Sequence, residues 1–512
     1  MAAQTTAGLP MPQAIPELSR RRRRFQLRLR IAGLALGSVG AFLAVQTVFG
    51  GKLALLFVLP TLAIPIVAWR EPRSMPVVLL GGACLIEQFP PANADLLTDH
   101  IPLFTSLSEG LGLTGVYVNP FELVLGLFLA ILVFRGAASR ALVLPRSAIT
   151  LGLGALMFIV IWAEAYGLGH GGNFTFAMWE LRPWLYMTLV YFITAITIKT
   201  QPPREVLLWT FVIMTGGIKS IQGIVNAIQT HNMVPRPEAI LAHEEAFFFG
   251  IYMVLVAALW LWKRKGKLRF WATLFLPTVF ISNLVNDRRS AWFILAGGLA
   301  MLMLLSWIRL PERRRLITRI VTVFALVFTL YTVAFWNSSS TWGQPARAVR
   351  SQIAPDARDA LSNQYRVLED DNLWINIRNS FPLGKGMGIP IDYVVPIVDL
   401  SAITALIKYV PHDNVLYIWM RMGVEGMVAF WFLIGMALIT ACRVVRKVDR
   451  QAAMIAVLIA ASIIGYLVEG KVDYGFFWFR MAIFIGVCLG LLEGIVAQAN
   501  TVPLSSLEAE AG

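Results

Sequence analysis

Charge is scarce in this sequence. Asp, Glu, Lys and Arg make up 14% of the 512 residues, hydrophobic residues 57%, and mean hydropathy is +0.67. A soluble protein of this length needs a polar surface that such a composition cannot supply. Cysteine is scarcer still. Cys84, Cys442 and Cys488 lie in or beside apolar runs, none at metal-ligand spacing from another, and are read as packing residues. Five histidines form no zinc signature, since His243-Glu244-Glu245 lacks a second histidine at helical spacing. No internal repeat occurs, and no low-complexity segment beyond the first 24 residues and a Ser/Glu/Ala tail. No small-residue cleavage site clearly follows the first apolar run, so an uncleaved anchor is expected.

Apolar runs near 20 residues, each long enough to cross a bilayer as a helix, recur along most of the chain. Spans are expected near 31–49, 53–69, 75–89, 118–134, 147–166, 183–198, 206–229, 241–262, 270–286, 290–308, 316–336, 413–441, 452–469 and 474–496. The predicted fold is an all-α polytopic transmembrane helical bundle of about 12–14 spans. A small outer domain sits between two late spans. The predicted parts are a basic cytoplasmic tail (1–30), a transmembrane bundle (31–336), an outer loop domain (337–411), C-terminal transmembrane helices (412–496) and a cytoplasmic tail (497–512).

Basic residues fix the expected orientation. With the N-terminus in the cytoplasm, the inside segments hold the arginines at 20–24, Arg28 and Arg30; Arg70 and Arg73; Arg135, Arg140 and Arg146; and Lys199 and Arg204. They also hold Lys263, Arg264, Lys265, Lys267 and Arg269; Arg309, the arginines at 313–315 and Arg319; and Arg443, Arg446, Lys447 and Arg450. That is well over half of the 44 Lys and Arg, while 90–117, outside, has none. This is the positive-inside pattern, with both termini cytoplasmic and the chain in a cytoplasmic (inner) membrane. The net charge of +14 therefore marks topology, and no nucleic-acid partner is expected.

The exceptions carry information. Lys52, Arg182, Arg236, Lys471 and the pair Arg288-Arg289 fall in short outside segments, and Lys219, Arg421 and Arg480 within spans. A charge at mid-bilayer costs roughly 2.5–3.5 kcal/mol on insertion scales, so it is paired, snorkelling or functional. Arg421 and Glu425, four apart, are expected to pair. All five histidines (His100, His170, His231, His243, His412) land on the outer side or at outer helix ends.

Three outer motifs carry candidate chemistry. His412, in Pro411-His412-Asp413-Asn414, sits at the outer mouth of a span, where an imidazole of pKa near 6.5 can take a proton from a hydroxyl. A capping cluster with Asp413 or Asn414 as N-cap explains the same residues. Arg288 and Arg289 precede a span at its outer start. Two guanidinium forks beside free helix N–H groups suit a phosphate or diphosphate, although an Asp287–Arg pair anchored to lipid headgroups is the alternative. In the outer domain, Leu361, Tyr365, Leu368, Trp374 and Ile377 roughly follow helical spacing, with Pro382 ending the helix. Arg366 on this helix either reaches the same anion or pairs with Asp370. The acids Glu369, Asp370 and Asp371 are read as a solvated surface, and no metal site is assigned. Gly384-Lys385-Gly386 lacks P-loop spacing and is read as a turn.

In this order the motifs resemble the O-antigen ligase and O-antigen polymerase superfamily. Arg288-Arg289-Ser290-Ala291-Trp292 looks like the family's Ser-Arg-Gly-Ala opening of a span. Arg366 through Trp374 to Phe381-Pro382-Leu383-Gly384-Lys385-Gly386-Met387-Gly388 looks like its Arg, Trp, then Pro-x-x-Gly-x-Gly-x-Gly segment. Pro411-His412 with Leu416 and Gly423 looks like its His-Asn-x-x-Leu helix start. The resemblance covers roughly 285–440. Asp413 stands where Asn is usual, and Arg421 where the family often has an acid. The resemblance implies glycan transfer from a polyprenyl-diphosphate-linked oligosaccharide to a hydroxyl of a glycan or lipid-glycan acceptor, at a membrane lipid surface and without cofactor or metal. His412 would activate the acceptor, and Arg289 and Arg366, with Arg288 beside them, would hold the donor diphosphate. The alternatives are a transporter or flippase for a lipid-linked glycan, or a non-catalytic envelope-assembly partner.

Overall fold

The computed structural model of the protein describes residues 64–89, 98, 101, 103–106, 117–139, 144–198, 201–233, 240–401 and 405–500. The expected tail 1–30, the span 31–49, most of 53–69, His100, Arg236 and residues 501–512 lie outside these. Residues 64–70 are helical, followed by a 3-10 turn at Pro72–Ser74. From Met75 the chain forms a second unit.

That unit is helical throughout, with no strand among the described residues. Its helices are α1 (Met75–Leu85), α2 (Pro120–Ser139), α3 (Ala148–Gly169), α4 (Phe174–Thr197), α5 (Gln201–Phe211), α6 (Ser220–Gln229), α7 (Glu245–Leu261), α8 (Lys267–Leu274), α9 (Leu276–Val285) and α10 (Ser290–Arg309). These are followed by α11 (Arg314–Ala334), α12 (Gln344–Ile353), α13 (Ala357–Asn379), α14 (Asn414–Val444), α15 (Arg450–Val472) and α16 (Phe479–Ala499). Short polar side chains start several of them. Ser147, Asn173, Asp356, Asp413 and Asp449 each accept a hydrogen bond from a backbone N–H of the first turn, satisfying groups that have no partner within the helix.

Among the described residues nine helices are long and apolar enough to cross a membrane, and the chain is a polytopic membrane helical bundle. The centre is α16, whose apolar window is 94% buried against α4, α1, α15 and α14; α11, at 6%, stands at the periphery. One span boundary differs from expectation. The span expected at 183–198 begins at Phe174, so Arg182 lies inside α4 and not in a connector, donating from Nε to Glu122 Oε1 on α2 at 2.8 Å. The expected span 270–286 is present as Lys267–Val285, with a break at Phe275 ahead of Pro277.

Charges inside the bundle are paired across helices. Lys219 ends a π-helical stretch, Val212–Lys219, and meets Glu87 and Glu245. Arg480 binds Glu244 at 3.0 Å and Glu245 at 2.6 Å. All five side chains are at most 1% exposed, as a low-dielectric interior demands of charges. Arg421 does not pair with Glu425. Its Nε lies 2.6 Å from Glu180 Oε1 on α4, and its other nitrogens donate to the carbonyls of Gly386, Ile389 and Tyr409.

The reason is a break in α14. Gly423 has φ +65°, a conformation that favours glycine. The glycine turn wedges into this break: Lys385 N–H donates to Met420 O at 2.6 Å, Gly386 N–H to Arg421 O at 3.1 Å, and Val424 N–H to Pro382 O at 3.0 Å. Irregular backbone at this depth needs protein partners, and the turn supplies them. The turn read from Gly384-Lys385-Gly386 is thus a structural plug.

Helix direction sorts the connections into two ends. The 337–411 segment touches the N-termini of α4 and α10, through Gly388 with Asn173 and Gln344 with Asp287, and the break in α14 through the Gly-rich turn. At the opposite end the basic connections meet one another: Arg264 binds Glu205 and Gln451, Arg309 donates to Val448 O, and Arg450 pairs with Glu312. His170, His231, His243 and His412 all fall at helix ends on the 337–411 side.

Candidate functional site

A cavity of about 310 Å³ opens where α10 begins, between α12, α13 and the C-terminus of α15. Five arginines line it: Arg288 and Arg289 from the turn before α10, Arg347 from α12, and Arg358 and Arg366 from α13. Asp287, Asp359 and Asp473 face them. Asp287 has φ +51°, and this turn presents the two arginines one after the other.

Most of these cations are partly compensated. Arg289 Nη1 is 3.3 Å from Asp359 Oδ1, and its Nη2 is 3.4 Å from Ser362 Oγ. Arg347 reaches Asp359 at 3.3 Å and Asp287 at 3.7 Å. Burial pulls the Arg289 pKa down; Asp359 opposes that, and Arg366, Arg347 and Arg358 reinforce it. Like charges held this close repel one another, and an anion bound among them would relieve that repulsion. Arg288 donates to His243 Nε2 at 2.7 Å, and His243 Nδ1 is 2.9 Å from Asp473 Oδ2.

His412 is not among the cavity-lining residues. It stands beside them. Its ring lies 4.6 Å from that of Tyr474 and 5.7 Å from that of Tyr365, and the next residues along, Asp473 and Arg366, line the cavity. His412 Nδ1 is 3.1 Å from Glu369 Oε2, and its backbone N–H donates to the same oxygen at 2.9 Å. With Nδ1 committed to a buried carboxylate, the lone pair left for base chemistry is on Nε2. The capping expectation holds for Asp413, which caps α14 while also pairing with Lys471.

Arg288, Arg289 and Arg366 are thus brought together. Arg366 does not use Asp370 as its partner: Asp370 pairs with Lys471 at 3.8 Å. Of the acid run, Glu369 is buried against His412. Burial, with Asp413 next, raises the Asp370 pKa to about 6. Among the described residues no group of three His, Cys, Asp or Glu side chains forms a metal-binding set. Sequence reasoning missed Arg347, Arg358, Ser362, Glu369, His243 and Asp473 as parts of the site. Arg358, Ser362 and Arg366 had a signal, since they recur every four residues on one face of α13. His243 and Asp473 had none, being 230 residues apart.

A helical bundle with ion pairs locked in its interior and a cationic cavity at one end defines the class, a polytopic α-helical membrane protein. No family model matches the chain, and no curated protein matches it.

Proposed function

We propose that the chain is an integral-membrane glycosyltransferase, a ligase or polymerase. It would move a glycan from a polyprenyl-diphosphate donor to an acceptor hydroxyl on the outer side of the cytoplasmic membrane, in assembly of a cell-surface polysaccharide. The observation that carries this reading is the arginine-lined cavity next to the His412–Glu369 pair. Its lining has five arginines against three aspartates, an excess of two positive charges. A diphosphate esterified at both ends, to lipid and to sugar, carries two negative charges.

In this reading Arg289 and Arg366, with Arg288, grip the diphosphate. His412 Nε2 takes the proton of the acceptor hydroxyl as its oxygen bonds to the anomeric carbon. The bond from that carbon to the diphosphate oxygen breaks, and its electron pair leaves with the diphosphate. Fixed guanidiniums aimed at the growing charge stabilise the leaving group, and the general base contributes about 10²–10⁴ in rate. The intramembrane charges that a transporter reading would draw on, Lys219, Arg421 and Arg480, are each paired to acids on other helices, Glu245 or Glu180, which favours the enzyme.

The test is transfer by purified protein given a polyprenyl-diphosphate oligosaccharide and a glycan acceptor. Transfer is expected to survive a chelator and to disappear in His412→Ala. Full transfer by His412→Ala would remove the base assignment. No transfer with any such donor, alongside movement of the lipid across reconstituted vesicles, would replace the enzyme with a transporter.

A further inference from the structure

His243 opens the His-Glu-Glu motif before α7, and neither the arginine grip nor the general base makes use of it. Its two ring nitrogens are nevertheless both engaged at the cavity wall. A guanidinium only donates, so the 2.7 Å contact between Arg288 Nη2 and His243 Nε2 requires Nε2 to be the unprotonated acceptor. The proton then sits on Nδ1, which donates to Asp473 Oδ2 at 2.9 Å. Trp478 packs near the same ring, with centroids 6.2 Å apart. Asp473 is itself fixed at the C-terminus of α15, where its N–H donates to Glu469 O at 2.8 Å.

We propose that His243 is a positioning residue for the anion site: as the neutral Nδ1–H tautomer set by Asp473, it holds the Arg288 guanidinium in the cavity wall for a diphosphate. The imidazole acts as a spacer. Without it Arg288 and Asp473 are free to close into a direct salt bridge, in which the arginine's charge is spent on the aspartate. With the ring between them, Arg288 is oriented toward the cavity by a hydrogen bond and not by an ion pair with Asp473. Arg289, by contrast, is oriented by Asp359 and Ser362, so the two neighbouring arginines are held by independent supports. This inference rests on the anion-site reading but not on glycan transfer.

The experiment uses the full chain in detergent, with inorganic pyrophosphate as the probe, followed by calorimetry. His243→Phe is expected to weaken binding about tenfold, comparable to Arg288→Ala, because a hydrogen bond to a charged group is lost. The double variant is expected to bind no more weakly than Arg288→Ala alone. His243→Gln, which keeps an acceptor near the Nε2 position, is expected to recover most of the affinity. Nitrogen-15 NMR of labelled histidine gives a readout that needs no ligand. The resonance lost in His243→Gln is expected to report a protonated Nδ1 and a bare Nε2, the latter shifting in Arg288→Ala. Additive losses in the double variant, or a protonated Nε2 in the wild type, would overturn the proposal whatever the transfer assay gives. Pyrophosphate coupling without any glycan transfer would overturn the transferase and leave His243 in place. A wild type that does not bind pyrophosphate overturns both.

Discussion

At the scale of single residues the site depends on side chains that orient other side chains. Glu369 is 1% exposed and takes both the ring nitrogen and the backbone N–H of His412. If His412 is the base of the proposed transfer, Glu369→Gln is therefore expected to lower kcat by about 10² or more, since a base that has lost its orienting carboxylate takes the wrong tautomer or pose. Pyrophosphate affinity should stay unchanged; an equal loss of both would mean that Glu369 shapes the cavity. Asp370, one residue on, gives a pH prediction. Burial and neighbouring acids raise its folded-state pKa to about 6 from an ordinary 3.8, with Lys471 opposing. A raised carboxyl pKa favours the folded state fully only below the unfolded value, and that contribution is lost as pH rises through 6. Asp370→Asn is thus expected to raise the melting midpoint in detergent more at pH 8 than at pH 5. A larger gain at pH 5 would show that Lys471 dominates the site.

At the scale of elements, the spans were legible because lipid tolerates only closed hydrogen bonding and apolar surface, and both leave their mark in the sequence. The helix of the 337–411 segment was legible from its spacing, but its packing was not. Leu361 is exposed and Ile377 buried, and beside Leu373 and Ile377 the buried face carries Asp359, Glu369, Asn372 and Asn376. Asn372 and Asn376 each exchange two hydrogen bonds with the backbone of the returning chain, at Val395 and Asp392, a pairing that no local pattern announces. The Arg421–Glu425 expectation failed for a related reason. The i,i+4 rule presumes a continuous helix, and Gly423 interrupts it between the two. Gly423→Ala places a Cβ against Pro382 O and Leu383 at φ +65°. It is expected to lower folded yield and melting midpoint, with backbone strain alone costing about 1–3 kcal/mol. Glu180→Gln, which leaves the buried Arg421 guanidinium without its counter-ion, is expected to cost about 3–5 kcal/mol. A wild-type midpoint in either variant would remove the glycine plug from the account.

At the scale of the whole molecule, the arrangement has two ends. Basic connections gather at one, and the cavity, the glycine plug and four histidines gather at the other. Reporter fusions after Thr200, Gly266 and Val448 are expected to read cytoplasmic, and fusions within 351–380 external; a cytoplasmic reading at 351–380 would sink the proposed mechanism, which places donor and acceptor outside. The cavity was only half legible, because its arginines come from three stretches that meet in the fold alone: 288–289, 347 and 358–366. The most direct test of the central claim is a cryo-EM map of the full chain with a polyprenyl diphosphate bound. Diphosphate density is expected in the cavity, within hydrogen-bonding distance of Arg289 and Arg366 and beside His412. Diphosphate density elsewhere in the bundle, with the arginine cavity empty, would contradict it.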